Sequence, residues 1–402
     1  MNPSHSNAGF GVRAVFLVAA VAGLLGLVAA GPLSAQLMVV GIDRKFAATD
    51  GKRQTLAPGH DALLLFDLKN PARPALLGEL ALENSLVGPP TNIALTPDHR
   101  LALVANAVHA RRTADGAGWE TVPAREVSVV DLTARPLRLL GTVPVGGQPG
   151  GLAIDRAGRF VLVASRTGQT VTLLAIRGQR VAVADTLAMG AAVTAVALTP
   201  DGRHALVTKL LTHQVAQVGI SPEGKLTDEH QDIPVGLYPW NVAITPDGRR
   251  ALVNSFGTAT GSDGHADHVT VIDLAAQPAR VVQYVTVGDA PEGLAISPAG
   301  DFAAITMLQG SYDAPPGAWY QHKAGRVAVL RLAAGGVAVA GESAVGGLPE
   351  SVGWSPDGRY LYAGNFANST LSVLTVDANG LITNRYDLPL PGPPASLRVV
   401  GP

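Results

Sequence analysis

Pro239-Trp-Asn-Val-Ala-Ile-Thr-Pro-Asp-Gly-Arg249 and Pro349-Glu-Ser-Val-Gly-Trp-Ser-Pro-Asp-Gly-Arg359 are two copies of one phrase. Each opens on proline, runs through a short apolar stretch and closes on Thr/Ser-Pro-Asp-Gly. Proline presets φ, aspartate accepts local backbone hydrogen bonds and glycine tolerates the exit, so the closing tetrapeptide is a tight turn between two strands. Weaker copies begin at Pro90, Pro149, Val193 and Pro291, and a stub stands at Pro394-Ala-Ser-Leu-Arg-Val399. Successive copies lie 44 to 59 residues apart. Repeats of that length, written in short strands and turn residues, predict a β-propeller.

Working outward from Pro239, Trp240–Thr245 and Arg250–Asn254 flank the turn. His268–Leu274 and Ala279–Val287 follow, with alternating apolar and polar residues, and complete four antiparallel strands, one blade. The two ends complement each other. Leu37–Gly41, Ala62–Leu68 and Ala75–Leu80 match the second, third and fourth strands of a blade, while the stub at 394 supplies a first strand with nothing after it. The expected fold is therefore an all-β, seven-bladed propeller of four-stranded antiparallel blades. Its closing blade joins 36–89 to 394–402, and the other six start near 90, 149, 193, 239, 291 and 349. Such closure removes the open sheet edges.

Residues 1–35 read as an export signal, leaving 36–402 as a single propeller domain. Arg13 precedes an apolar run from Ala14 to Ala30, Pro32 stops it, and Leu33-Ser34-Ala35 offers small residues before Gln36. The expected location is periplasmic or secreted, with no membrane span in the mature chain; a retained membrane anchor is the other possibility. The chain has no cysteine, which excludes disulfides, thiolate nucleophiles and Cys-ligated metals. A net charge of −1 supplies no basic field for a phosphate backbone, so nucleic acid is not an expected partner. A monomer is expected.

The Val-Gly-x-x-Pro lead-in, the (Thr/Ser)-Pro-Asp-Gly-Arg turn and the ending Leu361-Tyr-Ala-Gly-Asn365 resemble the YVTN-repeat propellers, which include YncE-like periplasmic proteins and border on lactonase-like propellers. The likeness spans nearly all of 36–402. Its letters are turn and core residues, so it implies the fold and leaves function open. The literal YVTN string is absent; its positions read Leu103-Val-Ala-Asn106 and Leu252-Val-Asn254.

The Pro-Asp-Gly turns all fall on one face. The loops between second and third strands fall on the other, and four are long: about 43–60, 107–125, 255–267 and 308–325. Their order predicts two walls flanking a cleft over the central channel. Glu292 and Glu350 each follow the leading proline of an inner strand, with Trp240 at the equivalent position and Asn254 and Asn365 ending second strands nearby. Two carboxylates with two asparagines are oxygen ligands of the kind that hold Ca²⁺ or Mg²⁺, and such a metal polarises a lactone carbonyl. The same residues also serve simply to hydrate a channel. Gly261-Ser-Asp-Gly-His-Ala-Asp-His268 offers Asp263, His265, Asp267 and His268 as a second metal candidate, although loops of this composition are ordinarily just solvated. His109 and His322 are candidate acid–base groups, and Trp319 and Tyr320 candidate ligand contacts. Two functions follow. One is a binding or scaffold module presenting its long-loop face to a protein or small ligand. The alternative is a lactonase-like, metal-assisted hydrolase with its site at the channel mouth.

Overall fold

A computed structural model of the protein describes residues 36–400 apart from Asp50, Leu86 and Thr260; the expected export segment, 1–35, lies outside the described residues. Seven four-stranded antiparallel sheets are present, and their innermost strands touch one another in sequence round a complete ring. Blade 1 is assembled from both ends: Pro394–Val399 is its inner strand, followed by Leu37–Ile42, Ala62–Asp67 and Ala75–Ala81. Met38 pairs with Val399 and Val40 with Leu397 in regular antiparallel register, as the stub at 394 predicted. Blades 2 to 7 have the inner strands Ile93–Leu95, Pro149–Ile154, Val193–Leu198, Pro239–Ile244, Pro291–Ile296 and Pro349–Trp354. No helix among the described residues is long and apolar enough to cross a membrane.

Alternation along each strand sends apolar side chains to both faces, because every blade packs between two others. Leu162 and Leu173 of blade 3 meet Val193, Val207 and Val218 of blade 4 in one such layer. Full burial of a side chain of this kind contributes roughly 1.5–3 kcal/mol. The Asp-Gly turns form as their chemistry requires. In blade 5, Thr245 Oγ1 and the Arg249 N–H both donate to Asp247 Oδ1, at 2.5 and 3.0 Å, and Gly248 takes φ +72°. Blade 7 repeats this arrangement with Ser355, Asp357, Arg359 and Gly358.

One backbone feature prepares the channel. The pairing of inner to second strand slips immediately after the leading residue in six consecutive blades: between Pro149 and Gly151, Val193 and Val196, Pro239 and Asn241, Pro291 and Leu294, Pro349 and Ser351, and, in blade 1, Pro394 and Ser396. A bulge leaves the extra residue out of the ladder and re-aims its side chain. The residues falling in the slip include Gly150, Thr194, Trp240, Glu292 and Glu350.

Candidate active site at the channel mouth

The bulges of blades 5, 6 and 7 bring Trp240, Glu292 and Glu350 together. The Trp240 indole donates from Nε1 to Glu292 Oε1 at 2.5 Å, and the Glu292 and Glu350 carboxyls are buried neighbours whose charges act on each other. Two neighbouring buried carboxyls cannot both carry a charge cheaply, so a proton is retained between them. Burial is the main reason that it stays there. Glu292 is 3% and Glu350 7% exposed, and loss of water penalises the charged form of each. Glu292 is held well above the ordinary carboxyl range by burial and by the neighbouring Glu350 charge, and Glu350 is pushed up to about 8, chiefly by burial.

A third carboxyl adds to the field. Asp313, in the 308–325 loop, is also raised by burial, and its charge is felt by both glutamates. The Ser262 N–H donates to its Oδ2 at 2.8 Å, while Oδ1 is buried without a partner. Two cations face this acidic group. Arg166 places its guanidinium 5.5 Å from the centre of the Trp240 ring and interacts with Glu292; Arg53 lowers Glu350. Neither arginine stood out in the sequence. Arg53 lies on a hairpin, Phe46–Thr49 and Lys52–Thr55, folded within the first long loop, and Arg166 follows a second strand of unremarked composition.

The long loops lie together on this face, but they do not form two separate walls. The 107–125 segment is an extension of blade 2, whose strands Leu101–Arg112 and Trp119–Asp131 continue outward as one long hairpin. The 255–267 and 308–325 loops are clasped by Asp313 and by the Ser262 hydroxyl, which accepts from the Gly310 N–H at 2.8 Å. The hairpin of blade 1 then reaches over short-looped blade 7: the Gly51 N–H donates to the Tyr312 carbonyl at 3.0 Å. Gly51 has φ +76°, and a Cβ there would stand 2.8 Å from the Ala314 carbonyl oxygen, so close approach requires glycine. Phe46, Val108, Leu308, Leu348 and Phe366 form an apolar layer beneath this bridge. The two walls are thus joined over blade 7, and the short-looped side belongs to blades 3 and 4. A buried cation anchors the stem: Lys45 Nζ contacts Asp61, the Asn84 carbonyl and, at 3.3 Å, Asp43.

Other sequence candidates have different placements. Asn254 Oδ1 accepts from the Asn241 N–H at 3.1 Å, and its Nδ2 donates to the Pro291 and Glu292 carbonyls at 2.7 and 2.9 Å. Asn365 accepts from the Gly346 N–H at 3.0 Å and donates to Thr370 and Ser372. Both amides are engaged in holding backbone and neighbouring strands, so the expected cage of two carboxylates and two asparagines does not converge on one point. The 261–268 cluster does not converge either. His265 turns to Asp263 and Trp319, Asp267 accepts from the Ala290 N–H, and His268 lies edge-on to Tyr284, 4.9 Å between ring centres. Trp319, 75% exposed, and Tyr320 pack against Gly264 at the rim. His322 is exposed at the end of its loop, and His109 sits on the blade 2 hairpin between two glutamates. A groove of about 750 Å³ between blades 5 and 6 opens on the turn face; it is lined by residues such as Asp247, Arg250 and Gln283 and holds none of the buried carboxyls.

No family profile and no curated protein matches the chain. Among solved structures it is similar to a proposed 6-phosphogluconolactonase of Bacteroides fragilis, at 19% identity and TM-score 0.68 over 91% of this chain and 98% of that one. A proposed 6-phosphogluconolactonase of Bacteroides uniformis aligns at 16% identity and TM-score 0.67, over 91% and 100%. The periplasmic gluconolactonase of Pseudomonas aeruginosa aligns at 19% and 0.62, over 91% and 99%. At these identities the likeness establishes the propeller fold and nothing narrower.

Proposed function

We propose that the protein is a lactonase-type hydrolase working at the channel mouth through Glu292 and Glu350. The observation that carries this reading is the pair of neighbouring carboxyls buried at the channel mouth. Once Glu350 ionises near pH 8, with Glu292 held higher by that charge, the pair holds one proton and contains a base and an acid side by side. The ionised member takes a proton from water as its oxygen attacks the lactone carbonyl. The protonated member delivers its proton to the ring oxygen as the acyl C–O bond breaks. The sum is lactone plus water giving a hydroxy acid; the pair still holds one proton, now on the member that acted as base. Arg53 and Arg166 stabilise negative charge developing on the carbonyl oxygen and on the product carboxylate.

Because the asparagine amides are engaged elsewhere, Ca²⁺ or Mg²⁺ would find only the two carboxyls here, and no step is routed through a metal. Support comes from the carboxyl pair and from structural neighbours named as lactonases. The other reading, a binding or scaffold module, rests on the long loops and exposed Trp319. The kinship with YVTN-repeat proteins, and export to the periplasm or beyond as a monomer, belong to this proposal on the strength of the sequence motifs and the 1–35 pattern. The test is hydrolysis of a panel of sugar lactones followed by pH-stat. Glu350→Gln should lose about 10²–10⁴-fold in kcat, the usual contribution of general acid–base groups. Turnover of every lactone equal to the uncatalysed rate in the wild type would contradict the proposal.

A further inference from the structure

A second polar cluster lies on the same face, between blades 1 and 2. His109 Nδ1 stands 2.5 Å from Glu83 Oε2, and His109 Nε2 stands 3.0 Å from Glu126 Oε1. One donor atom from each of the three residues lies within 4.8 Å of the others. A neutral imidazole has a single N–H and cannot donate to both carboxylates, so the trio calls for one more positive charge. The amide of Asn106 is aimed into it. Asn106 is 2% exposed, with its Nδ2 at 3.1 Å from Glu83 Oε2, 3.3 Å from His109 Nδ1 and 3.5 Å from Glu126 Oε1. Its Oδ1 is buried without a partner. Turning this amide by half a rotation is an assignment that only the bonding pattern decides. It would set a carbonyl oxygen among two carboxylates and an imidazole nitrogen, which is repulsive alone and favourable round a cation.

We infer that Glu83, His109, Glu126 and Asn106 form a binding site for a borderline divalent cation of the zinc class. The separations from the Asn106 amide, 3.1 to 3.5 Å, match the edges of a tetrahedron with bonds of about 2.0–2.1 Å, with His109 offering one of its two ring nitrogens and all three side-chain donors within 4.8 Å. An imidazole among the ligands favours zinc over the hard cations, which take oxygen cages. The ion would tie the linker after blade 1, which carries Glu83, to the projecting hairpin of blade 2, which carries His109 and Glu126. It stands apart from the Glu292–Glu350 pair and does not depend on the hydrolase reading.

The experiment is calorimetric titration of ZnCl₂ into the chelator-treated, tag-free protein. One ion per chain is expected in the wild type and in Glu350→Gln. His109→Ala and the Glu83→Gln/Glu126→Gln double variant should each weaken binding at least tenfold, with His109→Gln as a substitute if the alanine variant lacks a native circular dichroism spectrum. Millimolar Ca²⁺ should fail to displace the zinc. Absence of saturable zinc binding by the wild type, or wild-type affinity in any folded His109 variant, would overturn the site. Displacement by calcium would overturn its assignment to the zinc class.

Discussion

Carboxyl groups stand at both ends of this propeller, and the two ends treat them oppositely. On the turn face Asp247 accepts from the Thr245 hydroxyl and the Arg249 N–H, and the Thr245 bond above all holds it below the ordinary carboxyl range. On the loop face Glu292 and Glu350 are buried neighbours, and both are raised. Local turn geometry gives each turn aspartate its donors and leaves it near water. The bulged inner strands of blades 5, 6 and 7 instead push side chains inward, and the bridge over blade 7 surrounds them with protein. A propeller repeats its backbone, but these departures decide what a carboxyl at a given position becomes.

Both faces depend on closure, so deleting 394–402 should have the largest effect of any change. Blade 1 would lose its inner strand and Leu37–Ile42 would become an edge. Loss of the cooperative melting transition, read by circular dichroism, is expected; a truncated chain melting like the full one would show that closure is dispensable.

Next in size is the effect of the bridge. Gly51→Val places a β-branched side chain at positive φ against the Ala314 carbonyl. It should loosen the hairpin carrying Arg53 and lower kcat/KM for a hydrolysed lactone about tenfold or more. The same substitution leaves the turn face untouched. An unchanged kcat/KM would remove Arg53 from the site.

The opposite pKa directions give a third contrast. Glu350 titrates near 8 in the folded chain, against an ordinary carboxyl value of 4.5. Between those values the unfolded chain has released its proton and the folded one has not, so stability falls as pH rises. The stabilising contribution is complete below about pH 4.5 and gone above about pH 8, with a slope up to about 1.4 kcal/mol per pH unit. Asp247, lowered, has the reverse sign: its contribution is present at neutral pH and lost on acidification. Melting of Glu350→Gln should therefore gain on the wild type as pH rises from 5 to 8, and Asp247→Asn should lose least at low pH. Parallel curves for all three proteins would abolish the contrast. The smallest effect should be that of Asp247→Asn itself, about 1 kcal/mol at pH 7 because its turn hydrogen bonds lose their charged acceptor, with hydrolysis unchanged.

How much of this could be read from the sequence differs by residue. The stub Pro394–Val399 announced ring closure because a strand without a successor needs one from elsewhere in the chain. Glu292 and Glu350 stood out because a carboxyl replaced Gly150, Thr194 and Trp240 at a repeated position. Their raised pKa was not legible, since it depends on a backbone slip and on burial in the folded ring. Arg53 and Arg166 were missed because the folding of a long loop brings Arg53 there and ring order brings Arg166. Asn254 and Asn365 looked like ligands by type and depth; their hydrogen bonds to backbone and neighbouring side chains are a tertiary fact. Glu83 carried no signal beyond a polar linker residue, although His109 beside it was noticed.

The most direct measurement is a ¹³C NMR titration of protein labelled at the glutamate side-chain carboxyl carbon. Wild-type protein should show a glutamate resonance that remains protonated at pH 7 and moves only near pH 8, and this resonance should be absent from Glu350→Gln. Every glutamate titrating below about pH 5.5 would contradict the account, because a carboxyl pair holding no proton at neutral pH could not be the acid and base described here.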